Sequence, residues 1–361
     1  MEESQYIEEL RPPLTSGGII GWVKLNLFNG VFNSILTIST ICLLWKVIPP
    51  LVQWTFIDSI WNSTAAQCKA ADGACWSIIP SNIRFIMFGF YPYESQWRPL
   101  LAMILFAILI IFSRNRNHWK KSLGYAWIAG VFFMGLLLRG GVLGLTSVES
   151  SQWGGLPLTL ILSVFGMVAA YPLGIVLSLG RRSQLPVIKS FCIVYIELIR
   201  GVPLISVLFM SSFMFPLFLP EGVAIDKILR AQVAIILFFA AYIAEAVRGG
   251  LQAVSQGQYE GADSLGLNYY QKMRLVILPQ ALRIVIPPTV NILITAFKDT
   301  SLVVIIALYD VLMSTKTVLS NPQWMGFSTE AYIFVALIYF AFCFPMSKYS
   351  QRLEKELDTT R

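Results

Sequence analysis

An all-α integral membrane protein with about eight transmembrane helices is the fold this sequence predicts, and three observations carry the prediction. Hydrophobic residues make up 56% of the 361 and charged residues only 13%, whereas soluble domains carry about a quarter of their residues as charges. The mean hydropathy is +0.66. The apolar residues are gathered into segments near the ~20 residues a helix needs to cross the hydrocarbon core. The net charge of +7 fits positive residues collecting on the cytoplasmic face of a bilayer, rather than nucleic-acid binding. His118 is the single histidine, which excludes most histidine-based metal and triad chemistry in this chain.

In chain order the candidate spans are residues 30–50, 99–113, 123–141, 155–180, 201–219, 229–247, 284–307 and 329–347. The second is short, and the fifth is broken by Pro203 and Pro216. The start, MEESQYIEEL, is acidic and lacks an apolar core, so it does not read as a secretory signal peptide and the first span serves as its own insertion signal. Eight spans put both termini on one side. With that side inside, the inner segments hold 18 Lys and Arg and the outer segments 7. The positive-inside rule therefore predicts cytoplasmic termini. Lys46 and Lys298 fall within spans.

The outer segment after the first span, about 57–97, is long and aromatic-rich and holds Cys68 and Cys75. Outside a bacterial cytoplasm these form a disulfide or stay as two thiols, and spacing alone leaves both readings open. Cys42, Cys192 and Cys343 sit in apolar surroundings and read as small core residues. In the fourth span Gly166, Ala170, Gly174 and Ser178 recur every fourth position. They form a stripe that lets another helix approach closely. Pro172 among them invites a kink.

Three constellations stand out. Glu197-Leu-Ile-Arg200-Gly201 is echoed by Glu245-Ala-Val-Arg248-Gly249. Residues three apart share a helix face, so each carboxylate is expected to meet its own guanidinium, with the glycine letting the chain leave the helix. The pairs read as interfacial anchors or as a gate or hinge. Second, a helix starting near Arg283–Ile284 puts Lys298 about 20 Å along its axis, at or beyond mid-bilayer. Asp299, Thr300 and Ser301 follow directly. Charges at that depth serve a ligand, a water path or an internal clamp. Third, the polar stretch Glu260–Pro279, EGADSLGLNYYQKMRLVILP, interrupts the apolar chain on the inner side. It predicts a short helix, a turn at Gly266, a second short helix with Tyr269, Tyr270, Met273 and Leu275 as its apolar surface, and a stop at Pro279.

That stretch closely resembles the cytoplasmic EAA loop of ABC importer permeases, Glu-Ala-Ala-x3-Gly-x9-Ile-x-Leu-Pro, with Gly261 in place of the first Ala and Val276 in place of the Ile. ELIRGVPL (197–204), YIAEAVRGG (242–250) and KDTSL (298–302) are similar to the polar amino-acid branch of that family, over roughly 155–350. GWVKLNLFNG and IPPLVQW, nearer the start, resemble the M-type subunit of general L-amino-acid importers.

The resemblance implies a type I ABC importer transmembrane fold in the last five spans. It implies a bacterial inner-membrane subunit working with a second homologous permease, a pair of ATPase subunits and a periplasmic binding protein that delivers an L-amino acid. ATP and Mg would belong to the ATPase. In agreement, the sequence has no Gly-x4-Gly-Lys-Ser/Thr phosphate loop of its own. The coupling contact with the ATPase would centre on Tyr259, Glu260, Gly261, Ala262, Leu265 and Gly266. Substrate would meet Lys298, Asp299 and Ser301, with Ser211 and Ser212 of the fifth span.

The implied organisation is a cytoplasmic segment (1–28), an accessory region of about three helices (29–145), a permease domain (150–350) with its coupling loop at 250–283, and a cytoplasmic tail (351–361). A secondary transporter driven by an ion gradient is the alternative. It calls for matched repeats or several intramembrane acids, and the sequence offers the small Glu-x-x-Arg-Gly repeat and only a few candidate acids. An intramembrane enzyme would need a nucleophile–base pair or metal cluster in the spans.

Overall fold

A computed structural model describes residues 18–142 and 144–358. Most of the expected 1–28 segment, including Arg11, and the last three residues of the tail lie outside the described residues. The helices are α1 (Gly18–Asn26), α2 (Val31–Val52), α3 (Ala65–Lys69), α4 (Ile78–Phe88), α5 (Trp97–Ser113), α6 (Lys121–Arg139), α7 (Gly155–Leu160), α8 (Gly166–Arg181), α9 (Pro186–Gly201), α10 (Leu204–Phe209), α11 (Lys227–Ala253), α12 (Gln256–Ser264), α13 (Tyr269–Lys272), α14 (Leu278–Asp299), α15 (Val311–Leu319) and α16 (Ser328–Asp358). Seven helical runs are long and apolar enough to cross a membrane, and eight if the bent α9–α10 pair counts as one span.

The chain forms two units, one ending at Ser77 and the other running from Ile78 onward. In the first, α2 continues through a π-type turn to Ile57 and buries none of its residues. After it the chain closes a small knot. Cys68 and Cys75 are bonded, with Cα atoms 5.6 Å apart. Ile60 N donates to Ala74 O at 2.8 Å, and Trp76 Nε1 donates to Thr55 O at 2.9 Å. Of the two readings open for the cysteines, the structure holds the disulfide. The segment expected as one long outer loop, 57–97, also contains α4, an 11-residue helix of the second unit.

The second unit is built around α11, which packs against α8, α9 and α14. The small stripe of α8 is why α8 and α11 approach so closely. A Cβ added at Gly174 would stand 2.7 Å from Ile243 and 2.9 Å from Ala240 O, and one at Gly166 would stand 2.7 Å from Ile235. Ala170 and Ser178 of the stripe are fully buried. α8 runs unbroken through Pro172, and the irregularity falls earlier, in a π-type turn at Ile161–Phe165. The hairpin α5–α6 packs as a pair, with Met134 and Leu138 of α6 buried beside Ala102 of α5.

Four expectations are corrected. The fifth span does not begin at 201: α9 precedes it from Pro186, and the chain bends 105° before Leu204. Pro203, lacking an N–H and fixing its φ, is where the helix is interrupted. Val187, Phe191, Val194 and Leu198 form an exposed apolar stripe on α9, which at 16 residues is shorter than a span. The seventh expected span lies within a longer helical run that begins at Tyr269. Pro279 does not stop it, because a π-type turn at Met273–Ile277 widens the helix just before the ring and Pro279 sits in the first turn of α14. Gly249 does not end its helix either; α11 continues to Ala253. The second span starts earlier than 99, at Tyr93, through a short 3-10 turn.

Candidate functional site

The polar stretch after α11 folds as a helical hairpin. α12 ends at Gly266, whose φ of +71° is the left-handed conformation that glycine adopts without steric cost. Leu267 N donates to Ala262 O (3.2 Å) and Gly266 N to Asp263 O (2.9 Å), the paired bonds of a Schellman closure. α13 opens on a reciprocal cap: Gln271 N donates to Asn268 Oδ1 at 2.9 Å and Asn268 N to Gln271 Oε1 at 3.1 Å. An ion pair between Lys272 Nζ and Asp263 Oδ1, 2.6 Å, staples the two helices.

The six residues singled out in this loop divide by direction. Ala262 is buried and Tyr259 half-buried. Tyr259 OH donates to Leu251 O (2.9 Å) and accepts from Arg182 Nη1 (3.0 Å), so one phenol joins the ends of α8 and α11 to α12. Glu260, Gly261, Leu265 and Gly266 face outward. Leu265 is 79% exposed, and Tyr269, Tyr270 and Leu275 are each at least 60% exposed. Four large apolar side chains thus stand on the surface of an otherwise polar hairpin. Of the apolar surface expected for the second helix, only Met273 turns inward. The Asp263–Lys272 staple and the anchoring by Arg182 were not read from sequence; a carboxylate and an ammonium nine apart across a glycine turn was the available signal.

Beside the hairpin lies a charge network joining α8, α9 and α11. Glu245 accepts from Arg248 Nε at 2.9 Å, with Arg248 Nη2 also in contact. Arg181 Nη1 lies 3.4 Å and Arg200 Nη1 3.5 Å from the other Glu245 oxygen. Glu197 pairs with Arg181 at 2.9 Å. The second Glu-x-x-Arg motif therefore closes on itself as expected, and the first does not. Arg200 turns to Glu245, and Glu197 is taken by Arg181, because α8 and α11 bring partners nearer than the next turn of α9. Arg181 completes the network and was missed; a basic residue closing a span looks like any positive-inside anchor.

Lys298 and Asp299 end α14, where the chain tightens into a 3-10 helix over Thr300–Ile306. Lys298 is exposed, with no carboxylate at ion-pair distance among the described residues. Thr300 Oγ1 donates to Phe297 O at 2.8 Å, so that hydroxyl is used locally. Ser301 is half-buried. Ser211 Oγ donates to Arg230 O at 2.7 Å, at the start of α11. Ser212 Oγ is buried without a partner, while Ser212 O accepts from Arg230 Nη1. The two serines are thus held at the start of α11, and α10, which leads to them, packs on the 3-10 helix that follows Lys298.

Between the last two spans, Asp310 caps α15. It is fully buried, accepting from Met313 N (2.8 Å) and Tyr339 OH (3.3 Å). Burial pushes its carboxyl up to about 6.

The described residues thus form a helical body with seven or eight candidate spans and a stapled hairpin between α11 and α14. Residues 170–358 match the family described as binding-protein-dependent transport system inner membrane component, and the chain belongs to that family. It is a membrane-spanning, non-catalytic permease subunit of an ATP-driven ABC importer. Among its relatives is the inner membrane amino-acid ABC transporter permease protein YhdY of Escherichia coli K12, 49% identical over 94% of this chain and 93% of the relative. The glutamate/glutamine/aspartate/asparagine transport system permease protein BztC of Rhodobacter capsulatus is 37% identical over 96% of this chain and 95% of that protein. A solved amino acid ABC transporter with histidines is 32% identical, with a TM-score of 0.50, over 56% of this chain and 92% of its own.

Proposed function

We propose that this chain carries L-amino acids inward across a bacterial inner membrane, receiving them from a periplasmic binding protein, pairing with a second permease and taking its energy from a pair of ATPase subunits. The substrate class rests on the amino-acid permeases to which the chain is similar over nearly its whole length. The charge bias supports cytoplasmic termini, which put the α12–α13 hairpin on the ATPase side. ATP and Mg bind the ATPase; this chain contributes the path and the coupling.

The observation that carries the coupling role is the exposed apolar set Leu265, Tyr269, Tyr270 and Leu275 on a hairpin locked by the Gly266 closure and the Asp263–Lys272 staple. Such side chains on a cytoplasmic surface mark an interaction site. Closing of the ATPase would draw the hairpin across, and α14, continuous with it, would move the path end at Lys298. There Lys298, Asp299 and Ser301 offer the substrate's carboxylate and ammonium their complements. The secondary-transporter alternative predicts no dependence on ATP. The test is substrate-stimulated ATP hydrolysis by the whole complex in liposomes. Leu265→Asp should keep the subunits assembled weakly or not at all and lower stimulated hydrolysis at least tenfold. Full stimulation in that variant overturns the coupling role.

A further inference from the structure

A cavity of about 900 Å³ lies between the α5–α6 hairpin and the permease body, walled by α5, α6, the α7 region and the first turns of α11. Its depth is apolar, with Ala102, Phe106, Val131, Met134, Ile161 and Phe165. Its rim is charged: Arg139 closes α6, Glu149 stands in the following loop, and Asp226 caps α11. Asp226 is fully engaged, accepting from Ile228 N, Leu229 N and Ser150 Oγ. Glu149 gives one oxygen to Ser151 Oγ at 3.2 Å. Arg139 has no carboxylate at ion-pair distance among the described residues. Two wall residues keep buried polar atoms without a partner: Trp153 Nε1, a donor, and Gln232 Oε1, an acceptor.

The rim sits where α5 begins, α6 ends, α7 begins and α11 begins, so all four walls reach the same membrane face. With cytoplasmic termini that face is the outer one. From Arg139 to Val131 the wall descends about 12 Å along α6, from the headgroup level into the depth of the acyl chains.

We propose that this cavity holds one zwitterionic aminophospholipid of the outer leaflet, seated between the α5–α6 hairpin and the permease body. Its phosphate meets Arg139 and its ammonium the open oxygen of Glu149. An acyl chain fills the apolar depth. A membrane lipid supplies a phosphate and an ammonium for the charged rim and an acyl chain for the apolar depth. A spanning helix from another subunit has its backbone groups already bonded and would need an anion and a cation side by side at its end to match Arg139 and Glu149. The lipid then serves as packing material that fastens the accessory hairpin to the transport core.

The test uses the assembled complex, extracted from vesicles of phosphatidylethanolamine and phosphatidylglycerol, delipidated by a detergent chase and weighed by native mass spectrometry. Gly135 lines the cavity, and a Cβ added there meets nothing within 4 Å, so Gly135→Phe fills the cavity from a site with room. Gly124→Phe, on the same helix and equally unobstructed but outside the cavity, is the control. The expected result is one phosphatidylethanolamine retained per chain, at least tenfold less in Gly135→Phe and unchanged in Gly124→Phe. Glu149→Gln, which leaves the packing alone, should abolish the preference over phosphatidylglycerol. Equal retention by Gly135→Phe overturns the site, as does the absence of any retained lipid. Equal retention of the two lipids by the unmodified complex overturns the headgroup assignment.

Discussion

Lys298 stands exposed at the end of α14 with no carboxylate at ion-pair distance among the described residues. An ammonium within a span is costly unless water, a ligand or another subunit meets it. If a substrate carboxylate does so, Lys298→Ala should reduce uptake at least tenfold while the complex still assembles, as gel filtration with its partners would report. Normal uptake would leave Lys298 without a transport role. Asp310 makes a different claim. Its carboxyl, ordinarily at 3.8, titrates at about 6 when folded. The folded state therefore binds the proton more tightly, and the stability this group contributes is lost as pH rises from about 4 through about 6. Melting of the purified protein should show that fall, and Asp310→Asn, which keeps the capping oxygen, should flatten it. Neither Asp310's burial nor its titration was legible in sequence, because both come from α15 and α16 closing over it. Lys298 was legible, because a charge in an apolar run is conspicuous whatever the fold.

Helices were readable wherever hydrophobicity was continuous. All eight expected spans correspond to helical elements, and the small stripe of α8 named its own packing face. Gly174→Leu should overpack the α8–α11 contact, where 2.7 Å separates a new Cβ from Ile243. A cost of about 1–3 kcal/mol would appear as a lowered melting temperature, with no loss expected if the two helices separate freely. What escaped sequence reading was mixed in character. α9 turns an apolar stripe outward and Glu197 and Arg200 toward α8 and α11, and its 16 residues and the 105° bend after it kept it from reading as part of a span. The start of the seventh run was hidden because Pro279 normally argues against helix before it, and only the π-type turn at Met273–Ile277 makes room.

Across the whole molecule, Glu245 sits where three helices meet, with Arg181, Arg200 and Arg248 around it. The groups are partly exposed, and pairs of that kind contribute little singly. Their weight lies in geometry, since neutralising Glu245 leaves Arg200 and Arg248 without their carboxylate and Arg181 with Glu197 alone, which loosens the join of α8, α9 and α11. Glu245→Gln is therefore expected to raise ATP hydrolysis in the absence of substrate several-fold while lowering uptake. Unchanged basal hydrolysis would reduce the network to surface decoration. The network itself was half legible: the Glu-x-x-Arg spacing marked four of its five members, but partner choice depended on how α8 and α11 cross.

Under the coupling proposed above, the continuous helical run from Tyr269 through α14 would act as a lever. Its fulcrum is the crossing with α11, where a Cβ at Gly250 would stand 2.7 Å from Ala281 O and 2.3 Å from Val285, too tight to slide. From Ala281 to Tyr269 the short arm is about 18 Å, and from Ala281 to Lys298 the long arm is about 25 Å, at 1.5 Å per residue. A sideways push at the hairpin would then be returned at Lys298 reversed in direction and enlarged by roughly 1.4.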